Sequence, residues 1–196
     1  MTTVKQIERL WNARQHDRLF RDLIAARPEA SIRLEAECSR AVPAAAIALI
    51  RLHELDQSYV PLYSKLVRSL VAMQDLDGGW GDPMATALCL RALMNGRGEG
   101  PCIDRGLFYL AQMQKPDGIW PKVPFRRMPA DPYASAFVLY QLGDSARFRA
   151  AVRFFDAVNW FEAHESSLDA ETRRLWDRAT LRCHVRRPAP MLWINS

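Results

Sequence analysis

The sequence predicts an all-α chain built from repeated helical hairpins, and three observations carry that expectation. Gln74-Asp75-Leu76-Asp77-Gly78-Gly79-Trp80 and Gln114-Lys115-Pro116-Asp117-Gly118-Ile119-Trp120 share Gln, Asp, Gly and Trp at a fixed offset of 40 residues, the period of stacked helical hairpins. Each set follows an apolar run spaced by three and four residues, the pattern of a helix with one buried face. No alternating β-branched run bounded by hairpin turns is present, so strand signals are missing.

The elements follow in order. Helices are expected near 3–25, 29–39, 43–56, 60–75, 83–95, 101–115, 132–142, 145–163 and 167–184. The run from Lys65 to Gln74 and the run from Arg105 to Gln114 supply the first helix of each hairpin. Asp77-Gly78 and Asp117-Gly118 end those helices, because glycine takes the left-handed conformation without steric cost and Asp favours the adjoining turn. Asp82-Pro83 and Asp131-Pro132 then start the second helices, with Asp as N-cap and Pro at the first helical position. Their offset is 49 because residues 121–130 lengthen the second connection. A fainter copy, Pro43 to Arg51, lies 40 residues before Pro83 to Arg91 and shares its Pro, one Ala and its Arg. Gly96 to Pro101 reads as a loop.

With 196 residues, 49% of them hydrophobic, one helical-repeat domain over 1–185 is expected, followed by a Pro-containing apolar tail over 186–196. No apolar run approaches the roughly 20 residues that span a bilayer. Met1 to Lys5 leads into a polar helix rather than a signal peptide. Cys38, Cys89, Cys102 and Cys183 are scattered without a C-x-x-C pair; a reduced, cytoplasmic setting and no metal site are expected.

The net charge is +5, and the excess is local. Arg173, Arg174, Arg178, Arg182, Arg186 and Arg187 face one acid, Asp177, in that stretch. Arg174, Arg178, Arg182 and Arg186 recur every fourth residue and make a basic stripe if the helix persists. Such a stripe suits an acidic protein, nucleic acid or anionic headgroups, or is a solvated face. The 121–130 insertion adds Lys122, Phe125, Arg126 and Arg127 between three prolines. Loops of this kind on rigid scaffolds carry binding surfaces, the alternative being a structural cover.

The segment Arg105 to Trp120 resembles the QW motif of the terpenoid cyclase and protein prenyltransferase superfamily, as in the squalene–hopene cyclases, and the resemblance covers roughly 60–143. It implies an α/α toroid in which inner and outer helices alternate. It also implies that Gln74, Asp77, Gly78, Trp80, Gln114, Asp117, Gly118 and Trp120 serve structure and not catalysis. This chain has fewer hairpins than a closed family toroid, so the ring is expected to be incomplete or open. An exposed inner face then has to be covered by the termini, by a homodimer or by a partner.

The family's chemistry is missing from these residues. No D-x-D-D acid motif and no D-D-x-x-D magnesium motif occurs; Asp75-Leu76-Asp77 is the nearest match and sits inside the first turn. Cys183-His184 is the one Cys beside a His, and its arginine neighbours disfavour a dication. No phosphate loop or dinucleotide fingerprint is present. The residues therefore argue against an enzyme and for a chain with no catalytic residues and no cofactor. The expected function is a non-catalytic interaction protein that meets an acidic protein or protein complex through Arg174, Arg178, Arg182, Arg186, Lys122, Phe125, Arg126 and Arg127. The alternative is a small terpenoid cyclase or isoprenoid-binding protein, with Phe108, Tyr109, Tyr133, Phe137 and Tyr140 lining an apolar barrel. Nucleic-acid binding through the arginine stripe ranks third.

Overall fold

A computed structural model describes residues 28–96, 100–125 and 127–183, with backbone alone for 28–40. The helix expected over 3–25, Arg126, His184, Arg186 and the 186–196 tail lie outside the described residues. The described residues form eight α-helices: α1 (Pro28–Glu54), α2 (Pro61–Ala72), α3 (Pro83–Asn95), α4 (Gly100–Met113), α5 (Pro132–Leu142), α6 (Ala146–Ala151), α7 (Phe154–His164) and α8 (Ala170–Cys183). A 3-10 turn at Glu165–Ser167 joins the last two. Among the described residues the one extended pairing is an isolated bridge between Pro121 and Ala130.

The helices α1, α3, α5 and α8 pack side by side in that order, with α2 against α1, α4 against α3 and α6 against α4. Position in the row explains burial. Helix α3 buries Thr86, Ala87, Leu88, Cys89, Leu90, Ala92 and Leu93, and α5 buries Ala134, Ser135, Ala136, Val138, Leu139, Gln141 and Leu142. Such runs cover most of a helix circumference, as expected between two neighbours. Alanine recurs at these contacts because a small side chain lets helix backbones approach closely. Helix α8 ends the row and buries one stripe, Thr172, Trp176, Ala179, Thr180 and Cys183.

Several helix boundaries differ from the sequence expectation. Helices α2 and α4 end at Ala72 and Met113, ahead of the Asp77-Gly78 and Asp117-Gly118 expected to stop them; those pairs instead shape the turns beyond, where Gly78 N–H donates to Asp75 C=O and Gly118 N–H to Lys115 C=O. The break expected between 39 and 43 is absent: α1 runs through with Pro43 inside it. Proline costs one backbone hydrogen bond there, and Ala44, Ala45 and Ala46 after it are strong helix formers. The helix expected over 145–163 is instead divided at Val152 and Arg153. Arg153 N–H donates to Gln114 Oε1 (2.9 Å) and Arg153 C=O accepts from Gln114 Nε2 (3.0 Å). A side chain 39 residues earlier thus takes the peptide groups that would have continued the helix.

Candidate functional site

The two Gln-to-Trp segments close into turns with closely similar bonding. Gln74 Nε2 donates to Gly78 C=O (2.8 Å), and Gln114 Nε2 to Gly118 C=O (2.6 Å). Trp80 Nε1–H donates to Leu70 C=O and Trp120 Nε1–H to Leu110 C=O, both at 2.8 Å. Each indole therefore bonds a carbonyl ten residues upstream in the last turn of a helix. Leu110 C=O also accepts from Gln114 N–H (3.1 Å), whereas the indole is the partner of Leu70 C=O, one of the carbonyls a helix end leaves over. The backbone N–H of Trp80 meets Thr86 Oγ1 (3.0 Å) and that of Trp120 meets Ser135 Oγ (2.8 Å). Gly78 and Gly118 sit at φ +92° and +90°. A Cβ at Gly78 would lie 2.5 Å from Arg105 O and one at Gly118 2.6 Å from Ala157 N, so each turn abuts the backbone of a later helix.

These bonds also account for the carboxylates. Asp75 Oδ2 accepts from Gly81 N–H and Asp77 Oδ1 from Gly79 N–H. Asp117 accepts from Ile119 N–H at 3.4 Å. Asp82 and Asp131 cap α3 and α5 through Ala85 N–H (2.8 Å) and Ala134 N–H (2.7 Å). Asp169 caps α8, accepting from Glu171 N–H, Thr172 N–H and the Thr172 hydroxyl. The Thr172 hydroxyl foremost, with the Thr172 N–H, holds the Asp169 carboxyl below its ordinary value. These aspartates are placed to close turns and cap helices.

The thiols are equally withdrawn. Burial pushes Cys89 well up and Cys183 up to about 11, where Arg149 pulls against it. Both stay protonated and poorly nucleophilic near neutrality. Among the described residues no group of three His, Cys, Asp or Glu side chains is placed to hold a metal.

The arginines of α8 divide. Arg174 and Arg178 are exposed and enter no ion pair with a described residue. Arg182 is engaged: its Nε donates to Asp144 Oδ2 (3.2 Å), and its guanidinium lies 5.2 Å from the Tyr140 ring centroid. Arg91 of α3 donates to both Asp144 oxygens (3.0 and 2.8 Å). Asp144 thus links α3 and α8 across the C-terminal end of α5. Tyr140 continues a half-buried stripe with Phe137 and Tyr133 on α5, spaced three and four residues apart. Tyr109, also an aromatic expected to line a barrel, is buried with its hydroxyl donating to Gly81 C=O (3.0 Å), and burial raises its pKa. Phe108 points to solvent from α4.

The 121–130 insertion is a closed loop. Pro121 bridges Ala130, and Asp131 N–H donates to Trp120 C=O (2.8 Å). Lys122, Phe125, Arg127 and Met128 are exposed on it. Two large apolar side chains, Phe125 and Met128, thus stand exposed among the loop's prolines and cations.

A drimenyl diphosphate synthase from Streptantibioticus cattleyicolor is similar to this chain, 29% identical over 119 residues, which is 57% of this chain and 19% of the synthase. The chain therefore spans under a fifth of the length of that relative. No known family profile matches the chain, and no solved structure matches it significantly. Part of this all-α chain is thus weakly similar to a terpenoid synthase.

Proposed function

We propose that the chain is a terpenoid cyclase-like helical-hairpin module, arranged as an open α/α toroid, that binds a protein partner without catalysing a reaction. The alternation of a row (α1, α3, α5, α8) with flanking helices supports the toroid arrangement, as does the similarity to drimenyl diphosphate synthase. The observation that carries the binding role is the division of charge. Aspartates in and beside the repeats are spent on backbone N–H groups, whereas Arg174 and Arg178 stand in solvent on one face of α8. A positive face of this kind speeds encounter with an acidic protein and selects it by charge.

Native mass spectrometry of the protein purified from its own host tests this. An acidic protein should co-purify, and the double variant R174E/R178E should lose it with an unchanged melting temperature. Retention of the partner by that variant would sink the reading. R182E is the contrasting variant, since it breaks the link to Asp144 and should lower stability.

A second reading, isoprenoid binding, is favoured by the Tyr133, Phe137 and Tyr140 stripe. Incubation with isoprenoid diphosphates, followed by mass spectrometry of products and bound lipid, tests it. Neither turnover nor a retained isoprenoid would end that reading.

A further inference from the structure

We propose that the 121–130 loop anchors the protein to an anionic lipid surface, with Phe125 and Met128 entering the apolar boundary and Lys122 and Arg127 meeting the headgroups. The first repeat is an internal control. It passes from Trp80 to Asp82 through Gly81 alone, and still forms the indole bond and the Asp cap. The ten residues from Pro121 to Ala130 are therefore not needed to build the turn. Their ends are held by the bridge of Pro121 to Ala130 and by the bond from Asp131 N–H to Trp120 C=O. Buried Trp120 lies on one side and the capped start of α5 on the other.

Within the loop, Phe125 N–H donates to Val123 C=O (2.8 Å) and Met128 N–H to Phe125 C=O (3.0 Å). These bonds give the tip a folded shape, yet Phe125 stays 67% and Met128 43% exposed. A ring and a thioether held in water beside two cations, with no acid anywhere in 121–130, complement a surface that is apolar within and negative outside. A bilayer of anionic lipid has that layering. A tip with two large apolar side chains falls far short of the roughly 800 Å² per partner that a specific protein interface uses. A bilayer requires no matching shape and adds the contributions of apolar insertion and each cation. Phe supplies rigid area and Met a flexible chain that adapts to acyl packing. Arg126 lies outside the described residues, and the proposal does not depend on it. Nor does it depend on the protein-partner reading.

The test is co-sedimentation of the purified full chain with vesicles of phosphatidylcholine, with and without phosphatidylserine. The wild type should sediment with the phosphatidylserine vesicles, weakly with the neutral ones, and less at raised salt. F125D/M128D should weaken partitioning at least about tenfold, since two apolar groups leave the interface, and K122E/R127E should weaken it on anionic vesicles alone. Far-UV circular dichroism checks that these variants fold. F125W adds a readout that needs no disruptive change: its emission should shift to the blue when anionic vesicles are added. Absence of wild-type sedimentation overturns the proposal, as does F125D/M128D binding at the wild-type level or an unshifted F125W. Loss of a co-purifying acidic protein by these loop variants, with vesicles unbound throughout, would put a protein in the lipid's place. No protein partner enters the vesicle assay, so its failure is separate from failure of the α8 reading.

Discussion

The turns at 74–82 and 114–131 do the same mechanical task with different outside help. In the first, Gln74 Nε2 reaches forward to Cys102 C=O (2.9 Å), and its Oε1 accepts from the exposed guanidinium of Arg105 (2.5 Å). In the second, Gln114 grips both peptide groups of Arg153, and the Arg153 side chain returns to the carbonyls of Gln114, Lys115 and Pro116. One amide thus leans on a surface side chain, and the other is built into the start of α7, 39 residues on. The first turn is a joint between helices, whereas the second also decides where a helix is cut. The second is the better-held of the two, and it carries the longer connection, residues 121–130 in place of Gly81 alone. An insertion is best tolerated where both of its ends are independently secured.

Breaking the turns at their indoles should have the largest effect. Trp120 is fully buried and Trp80 nearly so, and replacing either with Ala should cost about 3 to 5 kcal/mol. W120A should be the more damaging, since its ring also lies 6.1 Å from Phe148. Urea unfolding followed by circular dichroism gives the ranking, and equal losses would remove that distinction.

Glycine replacements separate backbone conformation from crowding. Gly78, Gly81 and Gly118 all have positive φ, but only Gly81 has no atom within 4 Å of an added Cβ. G81A should therefore cost about 1 kcal/mol from conformation alone. G78A and G118A should cost clearly more, because backbone atoms must move. A G81A loss matching the other two would show that crowding contributes nothing.

The glutamines test the comparison directly. Q114A leaves the Arg153 N–H and two carbonyls without their partner and should cost about 2 to 3 kcal/mol, against about 1 kcal/mol for Q74A, whose site is wetter. Hydrogen exchange in Q114A should rise at the first turn of α7. A protected α7 would show that another group cuts the helix.

The smallest effect contrasts the caps of the repeats with that of α8. The Asp169 carboxyl is lowered in the folded state, so its stabilising contribution is present above the unfolded value near about 3.9. That contribution is lost as pH falls through the folded value. D169N keeps a capping oxygen and cannot titrate, so its stability relative to wild type should improve as pH drops below 4. An acid titration of both proteins by circular dichroism, with a constant difference throughout, would contradict this.

Much of the hairpin geometry could be anticipated because it is local. The Asp-Pro starts, the positive-φ glycines of the turns and the indole bonds all act within about a dozen residues, a range over which residue type and spacing carry the information. The features that escaped are long-range. Gln114 cutting the chain at Arg153 spans 39 residues, and Asp144 drawing in Arg91 spans 53. The fourfold spacing of Arg174, Arg178 and Arg182 was visible as a stripe, but the removal of Arg182 from it depends on Asp144 and Tyr140, brought there by packing. At Pro43 the lost backbone hydrogen bond of one proline is outweighed by the alanines that follow, so the helix runs through. The 121–130 loop was legible for the opposite reason: a mismatch between two copies of a repeat marks what the fold does not require.

The indole bonds of Trp80 and Trp120 each span ten residues, and the Gln-to-Gly bonds four. Contacts this short in sequence lose little chain entropy on closing, so each turn can close before the helices it joins find their packing partners. The packing itself runs across the turns, α1 on α3, α3 on α5 and α5 on α8, so the turns fix the chain's direction early and the row supplies cohesion only once several helices are in place.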